Sequence, residues 1–173
     1  DTIFGAWGNK SSHIAKADWA KVRLLPKGLG PQCGIFSQIG SIALNAVLDA
    51  DIHVGETVAI FGQGVPGLMI TQLAKANGAE VIAIDRLDQR LEHSKACGAD
   101  HTLNGSNVDV AQAVKELTNG RGADVSIEIT GIYAALHEAI RATAYNSRVV
   151  VSGFFQGDGK GLFLGEEFHH NRV

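Results

Sequence analysis

Residues 57–85 read TVAIFGQGVPGLMITQLAKANGAEVIAID, and the fold is decided in this stretch. Residues 57–61 are a short apolar, β-branched run of the kind that forms a buried parallel strand, and they lead straight into Gly62, Gln63, Gly64, Val65, Pro66 and Gly67. In such a strand-to-helix turn the first glycine allows the tight reversal. The second lets backbone approach a bound group with no Cβ in the way, and the third lets the next helix lie against the strand. Leu68, Met69, Ile70, Leu73 and Ala74 then recur at helical spacing, and Gly78 stands where a left-handed residue ends a helix. The start of that helix faces the turn, so its free N–H groups and the positive end of its dipole gather there. Pro66, near the first helical position, gives up no needed donor. The result is an anion site of the form that holds a pyrophosphate. A second strand over 80–84 ends at Asp85, about 20 residues past the glycines, where an acid accepts hydrogen bonds from the adenosine ribose of a dinucleotide.

That acid favours NAD over NADP. A 2′-phosphate about 4 Å from the Asp85 carboxylate is repelled by roughly 4 kcal/mol per unit charge at an effective dielectric of about 20. Arg86 is the counterweight, since its guanidinium can swing over a 2′-phosphate. Two other readings fit part of the pattern. One is a helix that packs closely on a strand and binds nothing. The other is an S-adenosylmethionine fold, which shares the first strand and the acid but not the proline-glycine end of the loop.

The remaining composition bounds the class. The chain has 173 residues, 45% of them hydrophobic and 19% charged, with a net charge of −3, which suits one globular domain and an appendage. There is no basic stripe for nucleic acid, no apolar run long enough to span a bilayer and no secretory leader before the first strand, so the sequence predicts no nucleic-acid or membrane partner and a cytoplasmic location. Cys33 and Cys97 are too far apart in sequence to suggest a disulfide framework and read as small buried hydrophobes.

Beyond Asp85, helix and strand alternate. Helices are expected over 87–96, 108–117 and from Thr130-Gly131 to about residue 144, with strands over 99–103, 123–129 and 148–152. In the 123–129 strand Val125, Ile127 and Ile129 alternate with polar partners. Strands separated by helices mean right-handed crossovers, so the fold class is α/β with a doubly wound parallel sheet. Five strands are expected where a complete dinucleotide fold has six. Residues 1–30, with Phe4, Trp7, Trp19, Val22 and Leu24 scattered among polar residues, read as short antiparallel strands of another domain, and a lead-in helix follows over 35–50. The expected division is a β-rich remnant over 1–34 and the nucleotide domain over 35–173, the whole an interior fragment of a longer chain.

The strand-like AKADWAKVRLLP segment, the helix with Ala43-Leu44-Asn45-Ala46-Val47, the HVGETVAIFGQGVPG run and the Thr130-Gly131 turn resemble the medium-chain, zinc-type alcohol dehydrogenase superfamily over nearly the whole chain. The resemblance implies a Rossmann domain joined to the end of a GroES-like catalytic domain, a homodimer, and hydride transfer between a nicotinamide cofactor and a small alcohol or carbonyl substrate. By similarity, Ile129, Thr130 and Gly131, with Ser152, Gly153 and Phe154, line the nicotinamide half of the cofactor. In the region of the family's last zinc ligand the chain offers Cys33 or Gln38, and a neutral amide is a poor ligand for zinc. Zinc is therefore expected only in a complete protein, and no metal site or turnover in this chain alone. A module that senses NAD(H) without redox chemistry is the alternative.

Other polar residues suggest less. His169 and His170, beside Glu166 and Glu167, diverge by about 100° on a helix and do not chelate together, so a polar surface turn is expected there. His101 beside Asp100 reads as a partly exposed hydrogen-bonding residue, and His53 and His137 as surface. Glu128, inside a strand, fits either a bond to cofactor or a buried structural role.

Overall fold

The computed structural model describes residues 1–170 and 172–173, in two compact units, Asp1–Ile42 and Ala43–Val173. In the first unit the strand-like reading gives way. Pairing is confined to one antiparallel bridge between Ile3 and Leu24, flanked by the Phe4 N–H on the Arg23 carbonyl at 3.0 Å and the Leu25 N–H on the Thr2 carbonyl at 2.8 Å. Ala17–Lys21 is instead a short helix, α1, with Asp18 in its first turn and Lys21 in its last. Good helix formers with charges that complement the helix dipole win locally over a strand with too little to pair against. Trp7 stacks on His13 with ring centroids 5.3 Å apart, and Arg23 lies 4.3 Å over Trp19. The expected lead-in helix is broken at Phe36 into α2, Pro31–Ile35, and α3, Ser37–Ala50.

The second unit alternates as expected: β1 Thr57–Phe61, α4 Val65–Ala76, β2 Glu80–Asp85, α5 Asp88–Ala96, β3 His101–Asn104, α6 Val110–Leu117, β4 Ala123–Glu128, α7 Tyr133–Ala142 and β5 Thr143–Val151. The five strands form one parallel sheet in the order β3-β2-β1-β4-β5. β1 is central, with β2 on one side and β4 on the other, so the chain winds outward from it in both directions.

Consecutive residues of β1 feed opposite faces. Val58 and Ile60 join Ala43, Ala46, Val47 and Ala50 of α3 and Ile70 and Ala74 of α4, while Ala59 and Phe61 join Val110, Ala111 and Val114 of α6 and Ala139 and Ala142 of α7. Helices thus cover both sides of the sheet, which is why all of β1 is buried. The same layering buries the polar partners of β4 along with its apolar residues. Ser126 and Glu128 are as fully buried as Val125 and Ile127, and Ser126 accepts a hydrogen bond from the Thr143 hydroxyl at 2.7 Å.

β5 starts five residues before its expected position, at Thr143, and α7 ends at Ala142, about two residues short of its expected end. The register to β4 shifts between Ala123 and Val125, and Asn146 takes up the irregularity with a φ of 55°. Arg148 in β5 donates from Nε to the Ala50 carbonyl at 3.0 Å and from its terminal nitrogen to Glu56 at 2.6 Å, clasping the end of α3 to the start of β1. Past β5 the chain folds along α7. Phe155 meets Tyr133 with ring centroids 4.9 Å apart, Phe163 meets His137 at 5.3 Å, and Glu167 approaches Arg141 at 3.8 Å. His137 is therefore not a surface residue: its Nδ1 is buried without a hydrogen-bond partner among the described residues. His169 and His170 lie in helical backbone after the π-helical turn Leu164–Phe168, not in a loose turn. Cys33 is exposed and Cys97 half-buried, because neither has a core layer around it.

Candidate dinucleotide site

A cleft of about 770 Å³ opens at the carboxyl ends of β1, β2 and β4, a volume ordinary for small-molecule sites. Its floor is the glycine turn. Gly62 has a φ of 104°, and a Cβ there would come within 2.7 Å of Thr130 Cγ2. A Cβ on Gly67 would collide with the Gly62 carbonyl, so helix α4 lies against the turn only because that residue is glycine. Gly64 is different. The one atom within 4 Å of a Cβ built there is Pro66 Cδ at 3.9 Å, so the turn's open side faces the cleft. The first-turn N–H groups of α4 have no intrahelical partner, and those of Val65 and Gly67 donate to no backbone carbonyl elsewhere among the described residues. Gly62, Gly64, Pro66 and Gly67 line the cleft, whereas Val65 is half-exposed outside it.

Gln63 departs from expectation. Its side chain turns away from the cleft and is fully buried, donating to the Ile60 carbonyl at 3.2 Å and accepting from Thr71 at 3.1 Å and Ser94 at 2.9 Å. It ties the turn down to α4 and α5 from beneath. Its own N–H donates to Asp85 at 2.7 Å.

Asp85 is at the cleft wall, where the sequence places it, and only 8% exposed. Its carboxylate accepts from the N–H groups of Gln63 and Arg86 at 2.7 Å and of Leu87 at 3.0 Å, with Arg90 a longer contact at 3.5 Å. Arg86 lines the same wall and donates from Nε to the Ser106 hydroxyl at 3.2 Å. Sequence reasoning missed Arg90 and Ser106. The first turn of the helix after the acid is the signal for Arg90, and the polar turn after β3 the signal for Ser106.

Ile129 and Thr130 line the opposite wall, together with Ile132, Ala134, Ala135 and Glu138 at the start of α7, none of which the sequence singled out. Gly131, Ser152, Gly153 and Phe154 stand behind this wall, outside the cleft. Glu128 holds them there. Its carboxylate accepts from the Thr130 N–H at 2.7 Å, from the Thr130 hydroxyl and from the Gly131 N–H at 3.2 Å, while its carbonyl accepts from the Ser152 and Gly153 N–H groups at 2.8 and 3.0 Å.

The other polar candidates form ordinary pairs outside the cleft, His101 with Glu80 at 3.2 Å and His53 with Glu56 at 3.7 Å. Among the described residues no three His, Cys, Asp or Glu side chains gather to hold a metal ion, and Cys33 and Gln38 are both exposed. These residues do not by themselves make a zinc site.

A parallel sheet wound in both directions from β1, with a glycine turn and an acid at the point of reversal, defines a doubly wound nucleotide-binding fold. Residues 66–172 match the zinc-binding dehydrogenase family. The chain is 36% identical over 154 residues to a D-guloside 3-dehydrogenase of Escherichia coli, covering 88% of this chain and 44% of that protein. It is 34% identical over 133 residues to a sorbitol dehydrogenase of Bacillus subtilis, covering 76% and 38%. The structure superposes on the alcohol dehydrogenase TADH of Thermus sp. ATN1 with a TM-score of 0.74 at 32% identity, over 78% of this chain and 39% of that one. The chain belongs to the zinc-binding dehydrogenase family, and it spans under half the length of these relatives.

Proposed function

We propose that the cleft binds a nicotinamide dinucleotide, with NAD preferred to NADP, and that the chain is the cofactor-binding part of an oxidoreductase acting on a small alcohol or carbonyl compound. The observation that supports this most directly is the open side of Gly64, where backbone faces the cleft with no side chain between, beside the unpaired N–H groups of α4 and across from Asp85. In this arrangement the first turn of α4 takes the pyrophosphate oxygens. Asp85 takes the ribose hydroxyls by giving up its weakest bond, the 3.5 Å contact to Arg90. Ile129 and Thr130 back the nicotinamide half. When bound, the nicotinamide ring takes up or releases the hydride; the chain supplies position and a wall that excludes water. The sugar and polyol names among the relatives support an alcohol substrate of that kind. With this function go a substrate-side domain that includes residues 1–34, a nucleotide domain over 35–173, a homodimer and a cytoplasmic location. No helix among the described residues is long and apolar enough to cross a membrane.

Calorimetric titration tests the proposal. NADH binding, NADPH weaker by at least about tenfold, and weakening of NADH by Asp85→Ala are the expected results. Failure of both dinucleotides to bind overturns it.

A further inference from the structure

We infer that Glu128 is a positioning residue for the nicotinamide half of the dinucleotide, an inference that rests on the function proposed above. Its carboxyl group is fully buried at the end of β4, and polar oxygens in such a place demand hydrogen-bond partners. No cationic side chain among the described residues supplies them. All the donors come from the second and third residues after it, the Thr130 N–H and hydroxyl and the Gly131 N–H, so the acceptor oxygens are spent on the shape of one loop. That loop reaches the rest of the site in two directions. Thr130 Cγ2 lies 2.7 Å from where a Cβ on Gly62 would stand, so the loop packs against the pyrophosphate turn, which is held from its own side by the Gly62 N–H on the Ile84 carbonyl and the Gln63 N–H on Asp85. Behind it, a Cβ on Gly131 would strike the Phe154 carbonyl and one on Gly153 would strike the Gly131 N–H, so the loops after β4 and β5 lie backbone on backbone. Glu128 stands at the centre, gripping the first loop with its side chain and the second with its carbonyl, which accepts from Ser152 and Gly153. Replacing the acceptor oxygen that holds the loop releases the wall on which the nicotinamide lies, while the turn beneath the pyrophosphate and the Asp85 wall stay in place.

A carboxylate that merely stabilises the fold weakens every ligand alike; one that positions this wall does not. The test is therefore titration of the chain and its Glu128→Gln and Thr130→Val variants with NADH and with ADP, which lacks the nicotinamide half. Glu128→Gln is expected to weaken NADH about tenfold or more while leaving ADP within about twofold, and to reduce the emission shift of bound NADH. Thr130→Val, which keeps the Glu128 carboxyl group and removes one donor, shows the same selectivity to a smaller degree and carries the test if Glu128→Gln does not fold. Equal losses for the two ligands, or no loss for either, overturn the inference with the dinucleotide site intact. Absence of both NADH and ADP binding in the unaltered chain overturns the site and the inference together.

Discussion

The turn after β1 and the loop after β4, which the loop after β5 backs from outside, border one cleft and are built on opposite plans. In the turn, glycines bring backbone close to backbone and leave the N–H groups of Val65 and Gly67 without carbonyl partners. Across the cleft the N–H groups of Thr130, Gly131, Ser152 and Gly153 are all consumed by Glu128. Unspent donors suit a ligand that carries its own charge, as a pyrophosphate does. Spent donors suit a flat ring with no anionic group, which needs a wall and not a grip. One cleft can in this way hold a charged group tightly and leave a reactive ring exposed on one face.

The harshest way to break the contrast is Gly67→Ala. The added methyl meets the Gly62 carbonyl, which has no flexible side chain to yield, so the turn must open. NADH binding is expected to vanish in titration and the thermal midpoint to drop, by about 3 kcal/mol of stability or more. Asp85→Ala comes next. It strands three backbone N–H groups, those of Gln63, Arg86 and Leu87, and should cost about 2–3 kcal/mol in urea denaturation besides its effect on the ribose. An unchanged denaturation midpoint shows that the acid is not part of the turn's scaffold.

Gln63→Leu sharpens the comparison by separating scaffold from contact. The Thr71 and Ser94 hydroxyls lose their buried acceptor, and a stability loss of about 1–3 kcal/mol is expected, with NADH affinity held within about threefold at temperatures where the variant stays folded. A much larger affinity loss puts the Gln63 side chain in the cleft after all. The smallest effect lies outside both loops. Asp109 caps α6 by accepting the Gln112 N–H at 3.1 Å and pairs with Arg141. Asp109→Ala should cost about 1 kcal/mol and leave the nucleotide untouched. The Gln112 N–H first, and then Arg141, hold the Asp109 carboxyl below the usual carboxylate range against a lesser opposing effect of burial. A group depressed in the folded state contributes stability that is present above the unfolded value and is lost as pH falls through the folded one. The gap between the unaltered chain and Asp109→Ala in denaturation is therefore constant at neutral pH and closes below about pH 4.

The parts of the site legible in the sequence are those whose requirements are local. Strand, turn, helix and the Gly78 stop follow one another without interruption, and Gly78 takes a φ of 85° just past α4. Asp85 is fixed by the length of one helix and one strand. Gln63 was misplaced because its orientation depends on Thr71 and Ser94, 8 and 31 residues further on, and nothing near Gln63 announces those hydroxyls. Glu128 was left between a cofactor bond and a buried structural role because its partners lie in the loops at 130–131 and 152–153, whose shapes no pattern within the strand encodes. The early start of β5 depends on a register shift against β4, which no periodicity within residues 143–151 encodes. The strand reading over AKADWAK failed for the opposite reason: local helix propensity was there to be read, and α1 follows it.

Arg148 carries a consequence for the birth of the chain. The carbonyl it holds at the end of α3 belongs to Ala50, 98 residues earlier. At a synthesis rate of about 5–20 residues per second, roughly 5–20 seconds separate the emergence of the two. Through that interval α3 and β1 are already outside the ribosome but not yet clasped, and the Glu56 carboxylate awaits its partner. β5 thus also locks α3 to the start of β1, and a nascent chain halted before Arg148 leaves the tunnel holds its glycine turn in a sheet whose opening elements are still free to part.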